Sequence, residues 1–135
     1  MNEKIICLDN KLAKNTIKKI LDDKKYDIQH SDIFEQWLER KQDVKCYLLY
    51  DNKLLTVISI LSKNDFDPLN EHNKPYTLEY IYTVESVRRM GYAYTLLKHI
   101  KQNDQITAFC SSNLSIALFE KAQFKKYIND IYRYP

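Results

Sequence analysis

The chain contains a single glycine, Gly91, among its 135 residues. It stands between TLEYIYTV, a segment rich in aromatic and β-branched residues, and a segment whose apolar residues recur at i, i+3, i+4 and i+7. The first pattern predicts a strand and the second a helix. Glycine at such a turn adopts backbone conformations closed to other residues and lets backbone amides approach a ligand. The sequence therefore predicts a turn at Gly91 whose backbone amides can approach a ligand.

The overall composition is that of an ordinary globular protein. The chain is 44% hydrophobic and 29% charged, and its length predicts one domain over residues 1–135. The net charge of +3 comes from 21 basic and 18 acidic residues that are interleaved along the chain, so we expect no nucleic-acid partner. The competing interpretation is a nucleic-acid-binding domain. It is suggested by the basic pI, the Arg88–Arg89 pair and the 11 tyrosines.

Several other classes of protein are disfavoured by what the sequence lacks. No apolar run approaches ~18 residues, so we predict no membrane span. The segment MNEKIICLDNKLAK lacks the apolar core of a signal peptide, and we expect a cytoplasmic protein. The three cysteines and three histidines are scattered, so we predict neither a metal site nor a disulfide framework.

Hydrophobic periodicity predicts the order β-α-α-β-β-β-α-β-α-β. A first strand over 5–8 precedes a helix that Asn10 would cap. A hairpin joins strands over 44–50 and 54–61, and the almost wholly apolar LLTVISIL predicts a strand covered on both faces. The tail FKKYINDIYRYP alternates as one final strand. The buried face of the first helix would comprise Ala13, Ile17, Ile20 and Leu21.

The turn at Gly91 is a candidate anion-binding site. The first amides of a helix have no partners within the helix, and the helix dipole adds partial positive charge there, which suits a phosphate or pyrophosphate. Arg88 and Arg89 would add charge, and Thr95 a hydroxyl. The alternative is a tight turn with solvated arginines. Neither a P-loop, GxxxxGK[ST], nor a dinucleotide fingerprint, GxGxxG, is present.

Arg88-x-x-Gly91-x-Ala93, placed between strand and helix, resembles the acetyl-CoA motif of the GNAT N-acetyltransferase superfamily, Gln/Arg-x-x-Gly-x-Gly/Ala. A second stretch, ITAFCSSNLSIALFEKAQF, resembles the strand and helix that follow in that family. With the order of elements, the resemblance spans nearly the whole chain. It implies an α/β (α+β) GNAT fold, in which a central mixed, mostly antiparallel sheet of about six or seven strands is flanked by about four helices.

The resemblance implies that acetyl-CoA is the cosubstrate. The backbone of Tyr82, Thr83 and Val84 would bind the pantetheine arm, and the turn and first helical residues would hold the pyrophosphate. Asn113 and Phe119 occupy further cofactor-contact positions. The pyrophosphate-binding set is Arg88, Arg89, Met90, Gly91, Tyr92, Ala93, Tyr94 and Thr95.

The resemblance also implies a reaction, the transfer of an acetyl group to a primary amine of a small molecule or protein. Glu79 is the candidate base, although a carboxylate on a strand is more often a solvent-facing or ion-paired group. Family members also suggest a homodimer. The alternative function is a non-catalytic acyl-CoA-binding or regulatory module of the same fold.

The chain departs from the family pattern at three positions. Phe119 stands where the family often has a tyrosine acid, and a phenyl ring has no proton to donate. The leaving thiolate would then depart unaided, or Tyr127 or Cys110 would supply the proton. Ser112 takes the family's asparagine position, one residue before Asn113, and Gln123 takes a glycine position.

Overall fold

A computed structural model describes residues 3–23, 32–39, 43–63, 76–103, 106–109, 113–128 and 131–134. These residues form one sheet of seven strands, four α-helices and a short 3-10 helix, Glu85–Val87. The predicted mixed α+β class is confirmed. The strands are β1 Glu3–Asp9, β2 Val44–Asp51, β3 Leu54–Lys63, β4 Tyr76–Thr83, β5 Ile106–Phe109, β6 Lys125–Ile128 and β7 Ile131–Tyr134. The α-helices are α1 Asn10–Asp22, α2 Asp32–Glu39, α3 Tyr92–Asn103 and α4 Asn113–Lys121.

The order across the sheet is β1-β2-β3-β4-β5-β7-β6. The first four strands are antiparallel neighbours, β4 and β5 run parallel, and β7 pairs antiparallel with both β5 and β6. The single final strand predicted from the tail is therefore wrong, because the tail forms two paired strands. Asn129 and Asp130 separate them in sequence and are residue types that favour turns.

Two hydrophobic clusters cover the two faces of the sheet. Helices α1 and α2 pack on one face, where Phe34 and Trp37 are almost fully buried. Helices α3 and α4 pack on the other, around Leu96, Leu97 and Ile100. The predicted apolar face of α1 is buried, and β3 is buried on both sides, so both predictions are confirmed.

A β-bulge in β4 changes which face its side chains reach. Ile60 of β3 pairs with Tyr80 and Leu61 with Leu78, so Glu79 is the extra residue. As a result Leu78 packs in the α3–α4 cluster, whereas Tyr80 packs in the α1–α2 cluster. Plain alternation along β4 would have placed Leu78 and Tyr80 on the same face.

Asparagine residues lie at the β2–β3 turn and at the start of α1. The β2–β3 turn has positive φ at Asn52 (51°) and Lys53 (69°), as expected of a tight hairpin turn. Asn10 does not cap α1 as predicted, since its side-chain oxygen accepts the amide hydrogen of Val44 (3.2 Å) and Asp9 is the N-cap residue. None of the described helices has the length and hydropathy needed to cross a bilayer.

Candidate functional site

Strands β4 and β5 pair only at their first residues. The parallel pairs run from Tyr76–Ile106 to Leu78–Ala108, while β4 continues to Thr83. In the described part of the chain, residues 80–83 of β4 therefore pair with β3 alone. The second half of β4 thus presents backbone groups towards an opening on its β5 side.

The backbone groups that face this opening follow from one hydrogen bond. Val84 donates its amide to Thr56 O on β3 (2.8 Å). Because the polar groups of consecutive strand residues point to opposite sides, those of Thr83 and Ile81 face away from β3. Of the three predicted pantetheine contacts, Thr83 therefore faces the opening, whereas Tyr82 and Val84 direct their backbone groups to β3. Sequence reasoning missed Ile81, since the register of β4 against β3 decides this point.

The turn between the 3-10 helix and α3 is open around Gly91. Gly91 has a φ of +84°, and a Cβ built there would meet no atom of the described residues within 4 Å. Its carbonyl oxygen accepts the first hydrogen bond of α3, from Thr95 N (3.1 Å). The amides of Tyr92, Ala93 and Tyr94 precede that bond and have no partner within the helix. Glycine is therefore favoured here by its positive φ, and it lies beside open space that a ligand can fill.

The hydroxyl of Thr95 is already engaged at this turn. Its Oγ1 donates to Gly91 O at 3.1 Å. The hydroxyl hydrogen is therefore committed to the helix, and in this arrangement Thr95 fixes the Gly91 carbonyl rather than donating to a phosphate. The sequence indicated the hydroxyl but not its partner.

The two arginines lie on the surface beside the opening. Arg88 donates from Nε to Thr83 O (3.1 Å), and its guanidinium lies 5.3 Å from the ring centroid of Tyr82. Arg89 is exposed and has a φ of 69°. Met90 between them and Gly91 is 63% exposed. The positive charge of Arg88 is thus held at the end of β4, and that of Arg89 projects from the turn.

A buried hydrogen bond anchors the start of α3 to the sheet. Tyr92, only 8% exposed, donates its hydroxyl to Asp51 Oδ2 at 2.6 Å. This bond, followed by burial and the negative charge of Asp51, raises the pKa of Tyr92 above its ordinary value of 10.0. The other oxygen, Asp51 Oδ1, is buried without a hydrogen-bond partner among the described residues. No sequence pattern predicts this pair, whose members lie 41 residues apart.

Glu79, the candidate base, lies at the bulge of β4. It is half-buried and is the first β4 residue beyond the last β4–β5 pair. Bulges often re-aim side chains beside active sites. In the backbone, Glu79 therefore lies at the inner end of the opening.

Phe119 packs in the core, where it is 4% exposed. Its ring meets that of Phe124 edge to face, with centroids 5.0 Å apart. Its carbonyl accepts the amide hydrogen of Phe124, and Glu120 O accepts that of Gln123, which together form a Schellman motif at the end of α4. Asn113 is the first residue of α4, and its side chain lies outside the described residues.

No metal-binding group of three or more His, Cys, Asp or Glu side chains occurs in the described part of the chain. A cavity of about 220 Å³ is lined by Asp9, Asn10, Asp43, Val44, Lys45 and Tyr76. It lies at the start of β4, the end away from Gly91. This cavity is therefore separate from the opening between β4 and β5.

Comparison with known proteins identifies the fold. No protein-family model and no curated protein sequence matches the chain. Among solved structures, the KacTA–DNA complex contains a chain similar to this one, with a TM-score of 0.69 and 13% identity over 99% of this chain and 93% of that one. The aminoglycoside-type AAC(6')-Iy, in complex with a CoA–acetylneamine bisubstrate analogue, gives 0.64 and 15% over 96% and 95%. The Escherichia coli ribosomal-protein-S18-alanine N-acetyltransferase gives 0.61 and 16% over 93% and 79%.

These similarities show that the chain has the fold of the GNAT acetyltransferases, as the motif at Gly91 predicted. Because the sequence identities are only 13 to 16%, the similarities establish the fold alone. The three proteins differ in what they bind or act on: DNA in the KacTA complex, a CoA–acetylneamine analogue in AAC(6')-Iy, and an alanine of ribosomal protein S18. They therefore indicate no common acceptor.

Proposed function

We propose that the chain is a single-domain N-acetyltransferase that transfers an acetyl group from acetyl-CoA to a primary amine. The observation that carries the proposal is the opening between β4 and β5, which ends beside the turn at Gly91. A strand with unpaired backbone groups suits the amide-rich pantetheine arm, and free helix amides suit the pyrophosphate. Binding of a CoA bisubstrate analogue by AAC(6')-Iy, which shares the fold, supports the same assignment.

The proposed contacts follow the geometry of the opening. The amides of Tyr92, Ala93 and Tyr94 would bind the pyrophosphate, with Arg89 adding charge at its edge. The backbone of Thr83 and Ile81 would bond the pantetheine amides. Arg88 donates to Thr83 O in the present structure, so the arm would share or displace that hydrogen bond.

The reaction requires a neutral amine. A lysine-like amine has a pKa near ~10.4, so at neutral pH a base must remove its proton, and we assign this role to Glu79. The amine nitrogen then attacks the thioester carbon, and a β4 amide can stabilise the charge that develops on the oxygen. The carbon–sulfur bond breaks, acetyl stays on nitrogen, and the CoA thiolate leaves.

Phe119 bears on how the thiolate leaves. It carries no proton, and it is buried against Phe124. A thiol with a pKa of about 8.5 is a stable anion under alkaline conditions, so departure without an acid becomes easier as the pH rises. We therefore propose an enzyme whose turnover is modest at neutral pH.

The first test is titration with acetyl-CoA, read as melting temperature and checked by calorimetry. Ligand at ~100 times its Kd should stabilise the fold by about 2.7 kcal/mol. Gly91→Ala is the informative variant, because its methyl group would project into the open space at the turn. We expect a much smaller ligand-induced shift from this variant. The absence of any shift in the wild type at millimolar acetyl-CoA would refute the proposal.

The second test measures thiol release with a panel of primary amines. We expect Glu79→Gln to lower kcat by at least tenfold, in the range of general-base catalysis, with little change in acetyl-CoA affinity. Glu120→Gln removes an equivalent charge from the surface of α4 and should have no effect. Equal loss of activity in both variants would remove the catalytic role of Glu79.

A second function, a non-catalytic acyl-CoA-binding module, is favoured by one observation. The position at which the family often has its acid is Phe119, a core residue. Phe119→Tyr separates the two functions. If acetyl-CoA binds but neither the wild type nor this variant acetylates any amine, the binding module is the correct function.

A further inference from the structure

Two lysines converge on one tyrosine of α3. The ammonium of Lys98 lies 4.6 Å from the ring centroid of Tyr94, and that of Lys121, on α4, lies 4.7 Å from the same centroid. Tyr94 is half-buried, whereas both lysines are exposed. Two cations are thus gathered around a single aromatic side chain, where contacts are individually worth little at an exposed site.

These lysines differ from their neighbour Lys101. The ammonium of Lys101 donates to Ala122 O (2.8 Å) and so closes the end of α4. No carboxylate of the described residues pairs with Lys98 or Lys121, although α4 carries Glu120 next to Lys121. The two positive charges repel each other when no anion is near. An anionic ligand would offset this electrostatic repulsion by attracting both ammonium groups.

The location of this pair indicates which anion it would meet. Tyr94 is the third residue of α3, and its amide is one of those assigned to the pyrophosphate. Lys98 follows one helical turn later, about 6 Å along the axis. In CoA the group beyond the pyrophosphate is an adenosine that bears a 3′-phosphate, with a charge of about −1.5 to −2 near pH 7.

We propose that Lys98 and Lys121 bind the 3′-phosphate of CoA, with the ring of Tyr94 holding both ammonium groups beside it. The inference rests on the proposed binding of acetyl-CoA and extends it to the far end of the ligand. The pair would let the protein distinguish CoA from pantetheine thioesters and from dephospho-CoA. Electrostatic recognition of this kind weakens as salt screens the charges.

The test compares Kd for acetyl-CoA and for 3′-dephospho-acetyl-CoA by calorimetry at low and high salt. We expect the wild type to bind acetyl-CoA about tenfold more tightly than 3′-dephospho-acetyl-CoA, because two charge contacts of modest strength would give a difference of this size. Lys98→Gln and Lys121→Gln should each weaken acetyl-CoA by about threefold and leave dephospho-acetyl-CoA unchanged. Lys98→Arg, which keeps the charge, should retain the preference.

The matched control is Lys18→Gln, which removes an exposed lysine from α1 on the opposite face of the sheet. It changes the net charge equally and should affect neither ligand. If the wild type binds both ligands equally, or if the control weakens acetyl-CoA as much as Lys98→Gln does, the 3′-phosphate site is refuted while acetyl-CoA binding stands. Failure to bind either ligand would refute both this inference and the proposed function.

Discussion

At the scale of single residues, the chain places ordinary side chains where the backbone has left-handed conformation. Five residues other than glycine have positive φ among the described residues, as does Gly91: Asn10, Asn52, Lys53, Arg89 and Gln123. An L-residue in this region costs roughly 1–2 kcal/mol, and only glycine avoids most of that cost. Some of these positions therefore hold strain that a substitution can remove.

Gln123 offers the clearest case. It has a φ of 68° and lies two residues after the end of α4, at the position where Schellman motifs prefer glycine. Gln123→Gly should raise stability by about 0.5–1 kcal/mol, after the greater chain entropy of glycine is deducted. The substitution also removes a weak hydrogen bond that Lys101 Nζ donates to Gln123 Oε1 (3.4 Å).

The measurement is thermal unfolding, in which this gain corresponds to roughly 2–4 °C. Gln36→Gly is the control, because it makes the same substitution at an exposed position within α2, where glycine is unfavourable. The control should lower the melting temperature. If both variants melt lower than the wild type, the strain assigned to Gln123 is absent.

The sequence predicted a strand-to-helix turn at Gly91 that needs glycine, but only half of the case of Gln123. A lone glycine between strand and helix is a direct signal. Gln123 stood out only because the GNAT resemblance expected glycine there, since glutamine has no preference for this conformation. Arg89 and Lys53 gave no such signal, because their backbone geometry follows from the turns they close.

At the scale of elements, the position of α3 is fixed by a contact that joins its first residue to the end of β2. The Tyr92 hydroxyl bonds Asp51 across 2.6 Å, next to the amides proposed to hold the pyrophosphate. This contact should affect stability in a pH-dependent manner. The pKa of Tyr92 is raised, so the folded state favours the protonated phenol, and its contribution is present below pH 10.0 and is lost as the pH rises above that value.

We therefore expect Tyr92→Phe to be less stable than the wild type at pH 8, and the difference to shrink as the pH rises above 10.0. Urea unfolding across that range measures the difference at each pH. Tyr94→Phe, on the same helix, is the control, because it removes a hydroxyl that makes no hydrogen bond within the described part of the chain. A difference for Tyr92→Phe that does not change with pH would contradict the assigned bond.

Element types were largely predictable, whereas the register between strands was not. The helical stripe of α1 and the doubly buried β3 follow from apolar periodicity alone. The bulge at Glu79 does not, because it depends on how β3 pairs with β4, and it moves Tyr80 to the face opposite Leu78. The division of the tail into β6 and β7 was missed for the same reason, since alternation continues across the break.

At the scale of the whole molecule, one sheet separates two hydrophobic clusters that share its strands. Residues of β2 and β3 contribute to both clusters, and the two are therefore expected to unfold together. This coupling bears on the prediction of one domain over residues 1–135. A protein with two independent units would lose each cluster in a separate transition.

Matched substitutions on the two faces test this coupling. Ile17 of α1 and Ile100 of α3 are both almost fully buried, one in each cluster. Ile17→Val and Ile100→Val each remove one methylene, and each should cost about 0.5–1.5 kcal/mol. We expect each variant to lower one shared melting transition by roughly 2–5 °C, with calorimetric and van't Hoff enthalpies equal. Because the substitution is the same on both faces, a transition that splits in one variant and not the other would show that the clusters unfold independently, and the single-domain prediction would then be wrong.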